Sequence, residues 1–120
     1  MESIIIDTSS ILFGLSINVD VLKSAKTQLS LEPCVSKGVL RELSSIANSR
    51  KANRKYASVA TSLIKKYNIK ICPDTEHVDR WILKSAHAVK NVCTNDTILR
   101  KKLRQEGIIA YTISMDGEFR

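Results

Sequence analysis

Two aspartates sit where a short apolar run gives way to a helix-forming segment. Ile4-Ile5-Ile6 runs into Asp7, with Thr8-Ser9-Ser10 directly behind it. Val92-Cys93-Thr94-Asn95 runs into Asp96, with a basic stretch to Leu103 behind it. In α/β proteins with parallel sheets, ligands bind beyond the carboxyl ends of the strands, so both carboxylates are delivered to the edge where chemistry is done. Two carboxylates at two strand ends, far apart in the chain, begin a hard-cation site. Glu42 and Asp79 can join them, because each lies in a helix that follows a strand. Four carboxylates in one place repel and raise one another's pKa values, and a divalent cation relieves this. All-oxygen ligands suit Mg²⁺ or Mn²⁺. Such an ion can generate a hydroxide nucleophile and stabilise charge on a phosphodiester. Thr94 can hydrogen-bond a carboxylate or a metal-held water. Asn95 can do the same, although strand alternation points its side chain to the opposite face.

Alternating strands and helices must position these acids. Ser3 to Asp7 is short, continuous and β-branched, the pattern of a buried parallel strand. Thr8, Ser9 and Ser10 are expected to cap a helix over Ile11 to Leu15. Asn18 or Asp20 opens a second helix to about Leu29, with Val19, Leu22 and Ala25 on one face. Leu31 to Val35 reads as a strand whose Pro33 implies a strand end or an irregular entry. Ser36 is the expected N-cap of a helix through Ala47. Leu40, Leu43 and Ala47 make its apolar stripe, and Glu42 stands beside that stripe, where it can face a cleft. A polar, basic turn leads into a helix patterned by Tyr56, Val59, Ala60, Leu63, Ile64 and Tyr67 and closed by Asn68. Its tyrosines read as core rather than as base-stacking platforms. Ile69 to Cys72 is a strand. His77 to Val89 is a helix with Asp79 in its first turn, where the helix dipole favours a carboxylate. Asn91 to Asn95 is the strand that delivers Asp96, whose helix ends at Gly107. Ile108 to Ile113 is the last strand, and Ser114 to Arg120 has no clear assignment. Helical connections of this length favour parallel neighbours. The expectation is one domain over 1–120, a three-layer α/β/α sandwich around a mainly parallel five-stranded sheet.

Composition narrows the function classes. The 120 residues are 43% hydrophobic and 26% charged, an ordinary globular balance that supports a core without disulfide or metal staples. No apolar run approaches the roughly 20 residues of a membrane span. MESIIIDTSS has neither the basic flank nor the cleavage site of a signal peptide, so a cytoplasmic protein is expected. Cys34, Cys72 and Cys93 form no CxxC pair, and His77 and His87 match no metal pattern. They read as buried reduced thiols and ordinary histidines. The net charge of +7 arises beyond Pro33 and is densest in Arg50 to Lys55, Lys65-Lys66 and Arg100 to Arg104. A basic face suits a polyanion, most simply nucleic acid. Arg50, Lys51, Arg54, Lys55, Arg100, Lys101 and Lys102 are the candidate phosphate contacts, and each run taken alone also reads as a solvated helix face. GxxxxGK[ST], GxGxxG and GxSxG are all absent, and no aspartate stands two positions after Asp7. P-loop, dinucleotide, nucleophile-elbow and DxD phosphatase sites are therefore unsupported.

With these residues assembled, the chain resembles the PIN-domain family of metal-dependent ribonucleases. IIIDTSSIL, VLREL around Glu42, VDRWILKSA around Asp79 and VCTNDTILRKKLRQEGIIAYTI carry the likeness, which covers nearly the whole chain. The resemblance implies that Asp7, Glu42, Asp79 and Asp96 hold Mg²⁺ or Mn²⁺, with Thr94 at the family's hydroxyl position. It also implies RNA hydrolysis leaving a 5′-phosphate and a 3′-hydroxyl. The likeness is to compact archaeal-type members, similar to VapC toxins and to nucleases that process small-subunit pre-ribosomal RNA. An antitoxin protein, a pre-ribosomal particle and a homodimer partner are the associations this implies. The pattern departs in two places: Ser36-Lys37-Gly38 replaces a proline often found before the Glu-bearing helix, and the variable last acid can fall only on Asp116 or Glu118. The family's inactive members leave a second reading, a non-catalytic RNA-binding or ribosome-assembly protein on the same fold.

Overall fold

The computed structural model describes residues 2–72 and 89–120. Its elements run β1 (Ser3–Ile6), α1 (Thr8–Ser16), α2 (Val21–Leu29), β2 (Glu32–Ser36), α3 (Lys37–Ala47), α4 (Arg54–Lys66), β3 (Lys70–Cys72), β4 (Asn91–Cys93), α5 (Thr97–Gln105) and β5 (Ile109–Tyr111). The strands form one sheet in the order β3-β2-β1-β4-β5, and every adjacent pair is parallel. The chain builds outward from β1 through β2 to β3, then returns to the other side of β1 with β4. The point where the strand order reverses therefore lies between β1 and β4. Their carboxyl ends are the place where such sheets open a crevice for a ligand. The expected α/β sandwich with a five-stranded parallel sheet is the observed architecture.

The core explains why the strands read as continuous apolar runs. Ile4, Ile5 and Ile6 are at most 1% exposed, as are Val35 and Val92, so these central strands are covered on both faces. Pro33 is accommodated because β3 pairs with β2 only from Cys34 onward, leaving the proline where β2 has one neighbour. Gly14 is needed for a close approach: a Cβ there would meet Val21 Cγ2 at 2.3 Å and the Val19 carbonyl oxygen at 3.0 Å. A side chain would push the α1–α2 turn away.

Several local expectations are corrected. α1 starts at Thr8, three residues before the expected Ile11, because Asp7 is itself the N-cap. In α4 the apolar stripe is rotated: Ala57, Ala60 and Ile64 are buried, while Val59 is 46% exposed. α4 packs against both α1 and α3, and small residues on that face allow the approach. β4 stops at Cys93 and β5 at Tyr111, shorter than the sequence implies. Other expectations hold: Asp20, Ser36 and Asp96 cap α2, α3 and α5, and Gly107 follows α5 at φ 77°. The tail, unassigned from sequence, folds into a turn. Asp116 accepts from the Ser114 hydroxyl and the Glu118 N–H and pairs with Arg120 at 2.6 Å. These bonds, the Ser114 hydroxyl's foremost, hold its carboxyl down at about 2. Cys34 and Cys93 are buried, and the Cys34 thiol donates to the Ile4 carbonyl at 3.4 Å. No helix among the described residues is long and apolar enough to cross a membrane. Asp79 and its expected helix lie outside the described residues, apart from Val89 at its end.

Candidate functional site

The switch point between β1 and β4 is framed by two strand-to-helix corners. At each, an aspartate ends the extended backbone and caps the helix that follows. Asp7, at φ −80° and ψ 151°, accepts the Thr8 N–H on Oδ1 at 2.9 Å. Asp96, at φ −77° and ψ 110°, accepts the N–H groups of Ile98 and Leu99 on Oδ1 at 2.9 and 3.1 Å. The N-termini of α1 and α5 thus lie at one sheet edge. Their unpaired N–H groups and positive dipole ends favour negative charge there, which offsets repulsion between the two carboxylates.

The corners are tied together by hydroxyls. Thr94, fully buried, donates to Asp7 Oδ2 at 2.7 Å and accepts the Asp96 N–H at 3.1 Å. Ser9 donates to the same Asp7 Oδ2 at 2.8 Å and accepts the Asn95 N–H at 3.0 Å. The strand register supports this link: the Asp7 N–H meets the Cys93 carbonyl at 2.9 Å, and the Thr94 N–H meets the Tyr111 carbonyl at 2.9 Å. Asp7 is consequently 5% exposed with both oxygens engaged. Asp96 is half-buried, and its Oδ2 makes no hydrogen bond among the described residues.

Asn95 faces away from both carboxylates, so its alternative expected role beside them is corrected. Its amide brackets Ile113, donating to the carbonyl and accepting the N–H, each at 3.0 Å, and it accepts the Ser10 hydroxyl at 2.7 Å. It fastens the chain beyond β5 to α1. Behind it, the Cys93 thiol is pushed up to about 12, mostly by burial, partly countered by Ser10 and reinforced by the Asp7 charge. Burial therefore keeps that thiol protonated at neutral pH, the form that is a poor nucleophile.

Of the remaining expected residues, Glu42 is exposed on α3, whose first residue follows Ser36 at the carboxyl end of β2. That is the same edge of the sheet, but no group of three or more His, Cys, Asp or Glu side chains assembles among the described residues. Arg50, Lys51, Arg54, Lys55, Lys101 and Lys102 are exposed, and Arg100 is half-buried. Asp116 is engaged in the tail turn, with the Glu118 N–H and Arg120. Ser9 and Ser10, expected only as part of a capping group suited to orienting a metal ligand, take separate roles: Ser9 binds Asp7 and Ser10 binds Asn95. The sequence signal for the Ser9 role was the mirror spacing, Ser9 two residues after Asp7 and Thr94 two before Asp96.

The donor set fits a hard divalent cation. Asp7 and Asp96 supply carboxylate oxygens, and the Thr94 hydroxyl ties the Asp7 carboxylate to the Asp96 backbone N–H. The adjacent Thr8 Oγ1 is buried and has no hydrogen-bond partner among the described residues. Comparisons with known proteins give the family and the fold. A family model described as a PIN like domain matches residues 4–114. Among solved structures, the chain is similar to the PIN domain endonuclease Utp24, with a TM-score of 0.76 and 26% identity over 93% of this chain and 85% of that one. It is also similar in fold to a domain of a functionally unknown protein from Methanocaldococcus jannaschii DSM 2661. There the TM-score is 0.67 and the identity 18%, over 95% of this chain and 92% of that one. No curated protein matches the chain.

Proposed function

Because the chain belongs to the PIN-like domain family, we propose that it is a Mg²⁺- or Mn²⁺-dependent endoribonuclease that hydrolyses RNA phosphodiester bonds. The observation that carries this reading is the pair of aspartate-capped corners at the switch point, with Asp7 held by Thr94 and Ser9 and with Asp96 Oδ2 accepting no hydrogen bond among the described residues. Likeness to an endonuclease over most of both chains supports internal cleavage rather than trimming from an end.

Asp7 and Asp96 would hold the cation, with Glu42 and Asp79 completing the acidic pocket. When bound, the ion supplies Lewis acidity for water activation and for charge developing on the phosphate. The chain's own residues do the rest. Thr94 and Ser9 hold Asp7 in one rotamer, which removes reorganisation from the reaction. The N-termini of α1 and α5 favour negative charge at that edge. Exposed Arg50, Lys51, Arg54, Lys55, Lys101 and Lys102, with Arg100, would bind flanking phosphates, making affinity fall with salt.

The test pairs metal binding with turnover. Mn²⁺ is titrated calorimetrically into the wild type and Asp96→Asn, and both are assayed for cleavage of structured and unstructured RNA. Asparagine keeps an acceptor for the Ile98 and Leu99 N–H groups, so the fold should persist. The expected result is loss of Mn²⁺ binding and a fall in cleavage of about 100-fold or more. Undiminished cleavage by Asp96→Asn would remove this residue from the chemistry. Salt-sensitive RNA binding without metal binding would favour the non-catalytic reading. In total RNA, cuts confined to one precursor site would indicate processing, and cuts suppressed by an antitoxin protein would indicate a toxin.

A further inference from the structure

A cavity of about 280 Å³ opens between α2, the end of α4 and the approach to β3. It is lined by Leu22, Lys23, Lys26, Lys66, Tyr67 and Ile69. Ile69 directly precedes β3, so the cavity lies by the amino end of that strand, whereas Asp7 and Asp96 stand beyond the carboxyl ends of β1 and β4. The two sites share no residue.

Three lysines line the cavity with little compensation. Lys26 has Glu32 at 3.5 Å, but among the described residues Lys23 and Lys66 have no carboxylate within ion-pair range. Asp20 is adjacent but committed: Oδ1 accepts the Lys23 N–H at 3.2 Å, and Oδ2 accepts the Tyr67 hydroxyl at 2.5 Å. Lys26 and Lys66 occupy last turns of their helices, where the dipole favours a cation. Lys23 does not, since it stands in the first turn of α2, the unfavourable end. Helix electrostatics therefore leave Lys23 unexplained. Below the lysines the floor is apolar: Leu22 is 1% exposed and Ile69 4%, with the Tyr67 ring beside them and Lys66 Nζ 5.9 Å from its centroid.

A rim of cations over an apolar and aromatic floor matches a nucleotide, whose phosphate needs the first and whose base needs the second. We propose that this cavity holds one nucleotide of a single-stranded RNA, its base against Leu22, Tyr67 and Ile69 and its phosphate on Lys23 and Lys66, with Lys26 beside them. An acidic peptide would engage the lysines but leave ring and floor unused. The site rests on the reading of this chain as one that acts on RNA, and it would grip the strand away from the scissile bond.

The test uses the full chain without divalent metal, so that nothing is cleaved. Adenosine 5′-monophosphate, adenosine, a uridine-rich dodecamer RNA and hexaglutamate are titrated in turn while backbone amide shifts are followed. The nucleotide and the dodecamer should both move the resonances of Lys23, Lys26, Lys66 and Tyr67. Lys23→Gln/Lys66→Gln should weaken nucleotide binding about tenfold or more, with shifts elsewhere unchanged, as expected for loss of charge-assisted phosphate contacts. Absence of these shifts at millimolar nucleotide would overturn the proposal, and so would equal shifts in the double variant. A response to the nucleotide but not the dodecamer, or to hexaglutamate alone, would refute the RNA assignment. A wild type that binds the dodecamer here yet cleaves no RNA once Mn²⁺ is added back would sink the nuclease reading and leave this site standing.

Discussion

The β1–α1 and β4–α5 corners are built alike, each a strand running into an aspartate that caps the next helix, yet they end in different states. Asp7 is 5% exposed, and its two oxygens take a backbone N–H and two hydroxyls. Asp96, half-buried, spends one oxygen on two backbone N–H groups, and its other oxygen accepts no hydrogen bond among the described residues. A carboxylate whose acceptors are all engaged is held in one orientation and contributes to the fold. One with an open oxygen can take a ligand with little rearrangement. The pair therefore divides the labour, Asp7 as the fixed member and Asp96 as the accessible one, with Thr94 keeping them in register.

The largest effect that would sharpen this contrast is on stability. Asp7→Ala removes a helix cap and strands the Ser9 and Thr94 hydroxyls, costing about 3 kcal/mol. Asp96→Ala removes a cap alone, costing about 1 kcal/mol. Urea unfolding of both variants checks the difference, and equal losses would break the comparison. Next is Thr94→Val, nearly isosteric but unable to donate to Asp7 or to accept from the Asp96 N–H. A loss of about 2 kcal/mol is expected. In a double-mutant cycle with Asp7→Asn, about 1 kcal/mol of that should be shared. Strict additivity would mean that the hydroxyl does not couple the two corners.

What the sequence made legible follows the same division. Both corners were visible because an apolar, β-branched run ending in Asp before a helix-forming stretch is a local pattern, and the parallel order follows from helical connections. Less visible was everything set by tertiary contact. Strand alternation turns the Asn95 side chain away from the carboxylates, as found, but its partners are not legible: β4 ends at Cys93, and only the fold brings Ser10 and Ile113 to its amide. Val59 fits a helical stripe, but where α4 packs against α1 and α3 it is Ala57 that joins the expected Ala60 and Ile64 in the interior, while Val59 stays 46% exposed. Asp7 was placed as a site residue, but its capping was not seen, because Thr8-Ser9-Ser10 offered three nearer candidates. The cavity by Tyr67 was hidden for a similar reason: Lys23, Lys26 and Lys66 lie on two helices that only the fold brings together.

The smallest effect tests whether the corners share one buried environment. Cys93 ends β4, beneath the Asp96 corner, but its thiol is raised to about 12 by burial and then by the charge of Asp7, with Ser10 opposing. An unfolded cysteine titrates near 8.5. Between these values the native state holds a proton that the unfolded state has released, so unfolding is favoured as pH rises. Stability from this group is fully present below about pH 8 and declines toward pH 12, with a slope of up to about 1.4 kcal/mol per pH unit. Urea midpoints of the wild type and Cys93→Ala across pH 8 to 11 isolate it, the variant showing the shallower decline. Because part of the upward push comes from Asp7, Asp7→Asn should soften the slope as well, whereas Asp96→Asn should leave it alone. Equal softening by both aspartate variants would show that the thiol responds to the charge of the whole edge, and that the separation between a fixed and an accessible carboxylate is weaker than their hydrogen bonds imply.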